Sequence, residues 1–143
     1  MRRIPTIRAV MTPFPHSIEI EAPVARAQEM MEEHGIRHLP VMEDGKLVSV
    51  ITDREVKLAL DPGLGRSPRD DLAVRDVCVP NVYIVEPTEP LDAALMHMAH
   101  HRCDAALVVK DGRLAGIFTT TDAFRVLGNL LRTLFPSSGD DAA

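Results

Sequence analysis

The sequence predicts an α/β fold of the α+β type, in which two β-α-β-β-α units pack as a pseudo-twofold pair. Three observations predict it. The first is an internal repeat, in which a constant shift of 67 positions, kept without a gap, lays Arg8 on Arg75, Pro13 on Pro80, Glu19 on Glu86, Pro23 on Pro90, Ala27 on Ala94, Met31 on Met98, His34 on His101, Val41 on Val108, Leu47 on Leu114 and Thr52 on Thr119. A register that long marks the duplication of one supersecondary unit. The second is that both copies join two apolar runs through Asp-Gly, at Asp44-Gly45 and Asp111-Gly112, the strongest short-range hairpin signal. The third is size. Three short strands and two helices from roughly 60 residues make a marginal domain alone, so the copies are expected to cover each other's apolar faces.

Each element follows from its residues. Ile7, Val10 and Met11 fit one helical turn, stopped by Thr12-Pro13-Phe14-Pro15. Ser17-Ile18-Glu19-Ile20 alternates as a short strand does, and Pro23 then stands where proline is tolerated, in the first turn of a helix that carries Val24, Ala27, Met30 and Met31 and ends near Gly35. Strands are expected at His38 to Met42 and Leu47 to Ile51, followed by a helix from Asp53 to about Leu60. The Pro/Gly/Ser stretch from Asp61 to Pro68 separates the copies, which places the domains at 1–62 and 63–143. The second copy repeats the order: a turn at Val74 to Cys78, a strand at Tyr83 to Glu86, a helix from Pro90 to about His101, strands at Ala105 to Val109 and Arg113 to Phe118, and a last helix to about Leu134. Met96 and Met98 join Met30 and Met31 at helical spacing as expected core. From about residue 136 the chain is small and polar, and disorder is expected there.

Composition narrows the function. Apolar residues make up 45% of the 143, aromatics only 3%, and Trp is absent, so no aromatic row exists on which single-stranded bases would stack. A formal charge of -5 argues against nucleic acid and anionic membrane as partners, since both need a basic face. Cys78 and Cys103 are too few for a disulfide framework, the start of the chain lacks the apolar run of a signal peptide, and no stretch approaches 18 uninterrupted apolar residues. A soluble cytoplasmic protein is the expectation.

The residues that carry chemistry lie where a strand meets a helix. Leu114 to Phe118 ends in Thr119-Thr120-Thr121-Asp122, and Leu47 to Ile51 ends in Thr52-Asp53-Arg54-Glu55. Backbone N–H groups at such a helix start have no helical partner, and the dipole's positive end lies there, so an anion or hydroxyl-bearing ligand can dock. The same spacing is that of a capping box, in which the Thr hydroxyl and the acid three residues on satisfy each other's backbone N–H. Glu55 suits that box well, while Asp122, being shorter, leans towards a ligand.

Val-Met-Thr-Pro at 10–13, Ile-Arg-His-Leu-Pro-Val at 36–41 and strand-Thr-x-x-acid closing both copies make the chain resemble a pair of CBS domains, a Bateman module, over about residues 4–134. The resemblance implies a regulatory module whose clefts bind adenine nucleotides (AMP, ADP or ATP, ahead of S-adenosylmethionine or NAD) and which acts without catalysis and without a resident cofactor. It also implies a homodimer and a regulated partner protein that the sequence does not name. Carried over by residue, Asp122 would accept from the ribose hydroxyls, with Thr119, Thr121 and Arg54 near phosphate. Thr52 and Glu55 would serve a second cleft, in which Ser49 stands for the usual Gly and Glu55 for the usual Asp. Base-lining positions would be Ser17, His38 and Pro40 in the first copy and Tyr83, Ala105 and Leu107 in the second. The alternative is a ligand-free dimerisation or adaptor protein docked on a partner.

Three other signals have plainer readings. His97 and His101 share a helix face as two imidazole ligands would, with Cys103 near, but a helix end favours His for its dipole, and no metal is expected. Arg37 and Arg102 either offset ligand charge or are solvated. Cys103 has no partner base in a repeated position, and phosphate-loop and Rossmann fingerprints are absent.

Overall fold

The computed structural model describes residues 2–61 and 72–136. The expected boundary at 62/63 and most of the expected polar tail lie outside the described residues. A 3-10 turn at Ile7–Ala9 precedes β1 (Thr12–Pro13), β2 (Ile18–Glu19), α1 (Val24–His34), β3 (His38–Glu43), β4 (Lys46–Thr52) and α2 (Asp53–Leu60). A second 3-10 turn at Val74–Asp76 leads into β5 (Ile84–Val85), α3 (Leu91–His101), β6 (Ala105–Lys110), β7 (Arg113–Thr119) and α4 (Thr120–Leu134).

Both hairpins form as the Asp-Gly pairs require. Asp44 and Gly45 have φ of 52° and 77°, and Asp111 and Gly112 repeat those values, the two left-handed positions of a primed two-residue turn. α1 closes on Gly35, whose φ of 65° lets its N–H reach the Met31 carbonyl. Arg102 closes α3 in the same conformation at φ 56°, a cost that glycine avoids.

The strands form two sheets, β2-β3-β4 and β1-β7-β6-β5. The second order places β1, from the first copy, on the edge of the second copy's sheet, with Thr12 opposite Ile117 and Pro13 opposite Gly116. Thr12-Pro13 is therefore a strand and not merely a stop, and an edge position tolerates a proline that cannot donate to the ladder. The counterpart is a single bridge between Val50 and Val79.

This exchange extends to the cores. Ile7 is fully buried with Val85, Leu91, Ala94, Met98, Val108 and Phe118 of the second copy, while Val74 is fully buried with Ile18, Val24, Leu39, Val41 and Ile51 of the first. The backbone follows the same twofold: Ile7 N–H donates to Glu89 at 2.8 Å as Val74 N–H donates to Ala22 at 2.8 Å. Arg75 adds ion pairs to Glu21 and, at 2.9 Å, to Glu43, which raise the affinity of its guanidinium for its proton. Each leading turn thus completes the other copy, and a seam of Ala105, Leu107 and Ile117 with Leu47 and Leu114 joins the sheets.

Two side-chain expectations change. Met31 and Met98 are buried and Met30 half-buried, but Met96 is exposed, because it sits five residues past Leu91 and off the Leu91-Ala94-Met98 stripe. In α4 only Ala123 and Val126 of the apolar residues pack on the core. Phe124 is 73% exposed, Leu127 54% and Leu131 47%, with Leu130 and Leu134 also open. These lie on adjoining faces of the helix, where nothing among the described residues covers them.

Candidate functional site

Two clefts open between the copies, and the 67-residue shift carries most of the lining of one onto that of the other. The first, of about 630 Å³, takes Thr12 to His16 and Gly35 to His38 from the first copy and Ile117, Thr119, Thr121, Asp122 and Arg125 from the second. The second, of about 520 Å³, takes Asn81, Val82, Tyr83 and Arg102 to Ala105 from the second copy and Val50 and Thr52 to Glu55 from the first. Each cleft therefore needs both copies. Both volumes fall in the range of small-molecule sites.

In the first cleft Asp122 is only 7% exposed. Its Oδ2 accepts from Thr119 N–H at 2.8 Å and from the Thr119 hydroxyl at 3.1 Å, and its Oδ1 accepts from Arg125 Nη1 at 2.9 Å. A carboxylate offers about four acceptor positions, so one remains while Arg125 keeps its place. In the second cleft Thr52 N–H donates to Glu55 Oε1 at 3.3 Å and the Thr52 hydroxyl donates to Oε2 at 2.5 Å. The shorter acid makes the tighter backbone contact, which reverses the expectation drawn from its length. Fewer rotatable bonds hold the Asp122 carboxylate against its cap, so its capping role stands beside any ligand role.

The structure places the expected site residues as follows. Thr119, Thr121, Asp122 and His38 line the first cleft; Thr52, Arg54, Glu55, Tyr83, Ala105 and Leu107 line the second, with Thr121 and His38 again. Ser17 and Pro40 are not among the described lining residues of either cleft. Ser17 is exposed and Pro40 is fully buried on β3. The place corresponding to Tyr83 belongs to His16, since 83 minus 67 is 16, and the same shift applied to Tyr83 would have found it. Phe14 also lines the first cleft, at an unusual φ of 47°, and Arg125 stands against Asp122; neither has a motif that singles it out.

One lining ring of each cleft is stacked on a neighbouring imidazole. His16 stacks on His34 with centroids 3.6 Å apart, and Tyr83 stacks on His97 at 3.8 Å. His97 and His101 lie 4.2 Å apart, tilted against each other. Among the described residues no three His, Cys, Asp or Glu side chains are grouped to hold a metal ion. At Gly116, opposite Pro13 of β1, an added Cβ would meet the flexible Met11 side chain, which would have to move aside. At the equivalent place Ser49 donates to the Val79 carbonyl, and the residue corresponding to Met11 is the smaller Cys78.

His38 is half-buried in the wall between the clefts. Burial lowers its pKa from 6.5 and Arg37 adds to that, against the opposite pull of Asp104, Asp53 and Glu55. The unfolded chain therefore takes up a proton near pH 6.5 that the folded chain resists, so this contribution to stability is present above 6.5 and is lost as pH falls below it. Thermal melts between pH 8 and 5 should show that decline, and His38→Gln should flatten it. An unchanged profile in the variant would remove His38 as its source.

The family model for the CBS domain matches residues 7–61 and 74–129. Among curated proteins, an inosine-5'-monophosphate dehydrogenase of Korarchaeum cryptofilum is 33% identical over 119 residues, which is 82% of this chain and 22% of that enzyme. The chain spans about a quarter of the length of such relatives. Among solved structures, the CBS domain pair of protein MJ0100, in complex with 5'-methylthioadenosine and S-adenosyl-L-methionine, superposes with a TM-score of 0.77 at 25% identity over 89% of this chain and 98% of that one. CBSX2 in complex with AMP does so with a TM-score of 0.74 at 28% identity over 90% and 99%. Two matched repeats that between them span most of the chain, on the fold those structures share, mean that this chain belongs to the CBS domain family.

Proposed function

We propose that the chain is a regulatory module that binds an adenine nucleotide or related adenosyl ligand between its copies and signals by changing their relative tilt. The observation that carries it is Asp122, a nearly buried carboxylate with spare acceptor capacity at a cleft that both copies build. A vicinal diol is a paired donor and a carboxylate a paired acceptor, and at the start of α4, where Thr119, Thr120 and Asp122 N–H are engaged, the Thr121 N–H is left to a phosphate. The similar structures holding AMP and adenosyl compounds support the same ligand class. Because the clefts lie between the copies, a ligand that favours one tilt shifts the population towards it, and a partner can read that shift. The module itself does no catalysis.

Calorimetry with AMP, ADP, ATP, S-adenosylmethionine and NAD tests the reading. At least one should bind, and Asp122→Ala should weaken it more than about tenfold while removing only about 1 kcal/mol of stability with the cap. Binding of none would refute it.

A second reading rests on the uncovered leucines of α4: they suit pairing with a second copy, and a homodimer is compatible with ligand sensing. If no ligand binds, the same surface supports an adaptor that acts by docking alone.

A further inference from the structure

Arg37, His38 and Thr121 line both clefts, so one wall serves two sites. Of these three, Arg37 alone carries a fixed positive charge. Its carbonyl accepts Asp53 N–H at 3.0 Å, which holds its backbone at the start of α2, while its guanidinium has no hydrogen bond or ion pair among the described residues. The twofold does not duplicate it: position 104, where the shift would place a second such cation, is Asp104, and that residue lines only the second cleft. The other arginine of the first cleft, Arg125, is engaged by Asp122. The second cleft has Arg54 and Arg102 as well, set against Glu55, Asp104 and an Asp53 that pairs with Lys57. The first cleft therefore depends for its unengaged positive charge on a residue that the second cleft also uses.

Resting on the nucleotide-binding reading, we infer that the two clefts are coupled through Arg37: a phosphorylated ligand in either one engages this guanidinium and so weakens the binding of phosphate in the other. Phosphate carries the effect. A single guanidinium pairs fully with one phosphate, and a second anion arriving beside the first meets a charge already neutralised. An uncharged nucleoside needs nothing from Arg37 and fills both clefts independently.

AMP is titrated calorimetrically at about 50 mM salt, where screening is weak, into the wild type and into Glu55→Ala and Asp122→Ala, which each leave one working cleft. The same series is repeated with Arg37→Gln added, and then with adenosine. The product of the two stepwise association constants of the wild type is expected to fall about tenfold below the product of the two single-cleft constants, a typical coupling. With Arg37→Gln the products should agree, as they should for adenosine in every background. One bound AMP in the wild type, with both single-cleft variants still binding, is the same result at its limit.

Agreement of the products in the wild type overturns the coupling, as does one bound AMP with a single-cleft variant that binds none. A gap that survives Arg37→Gln, or appears with adenosine, overturns the role of Arg37. Absence of any binding heat overturns the nucleotide reading and this inference together, which separates that failure from the others.

Discussion

Ile7→Ala is expected to cost about 2–5 kcal/mol, the range for emptying a fully buried aliphatic site, although the residue stands in the first turn of the chain. Ile7 is 0% exposed and every buried neighbour in its cluster belongs to the second copy. The loss should therefore appear far away in sequence. Hydrogen exchange should show amides of β6 and β7 opening at lower free energy than those of β3 and β4, while denaturant unfolding gives the total. Val74→Ala should do the reverse and loosen the first copy, where Val74 packs. If Ile7→Ala cost under 1 kcal/mol, or loosened β3 and β4 first, the exchange of leading turns would be wrong.

Leu127→Glu with Leu131→Glu is expected to turn a dimer of this chain into a monomer. These side chains lie on the uncovered face of α4 with Phe124, Leu130 and Leu134 nearby, and charge there opposes burial against a second copy. Neither leucine packs into its own unit's core clusters, so the melting temperature of the monomer should reflect only small surface effects of about 0.5 kcal/mol beyond the lost association. Light scattering gives the mass directly. A wild type that is already monomeric, or a variant with unchanged mass, would remove α4 as the pairing face.

These two predictions mark where the sequence stopped being informative. The repeat made the hairpins readable because Asp44-Gly45 and Asp111-Gly112 need only their own left-handed conformations, a local property. It also located Thr119, Asp122, Thr52 and Glu55, since a cap is decided within four residues of chain. It did not reveal His16, Phe14 or Arg125 as cleft residues. His16 lines the first cleft while Ser17, one position on, is not among its described lining residues, because neighbouring side chains of an extended chain point to opposite sides. Nor did apolar spacing in α4 distinguish a buried stripe from an open one, because periodicity records that a face is apolar and not what covers it.

The sequence by itself determined that there are two copies, which segments other than β1 become helix and strand, and that a hydroxyl and an acid sit at each strand-to-helix junction. These follow from local turn chemistry, alternation and capping. Only the tertiary structure decided that Ile7 and β1 complete the second copy, that Val74 completes the first, and that each cleft is built half from each. Packing chose among partners of equal apolar character at long sequence separation, and nothing in the spacing of residues along the chain encodes that choice.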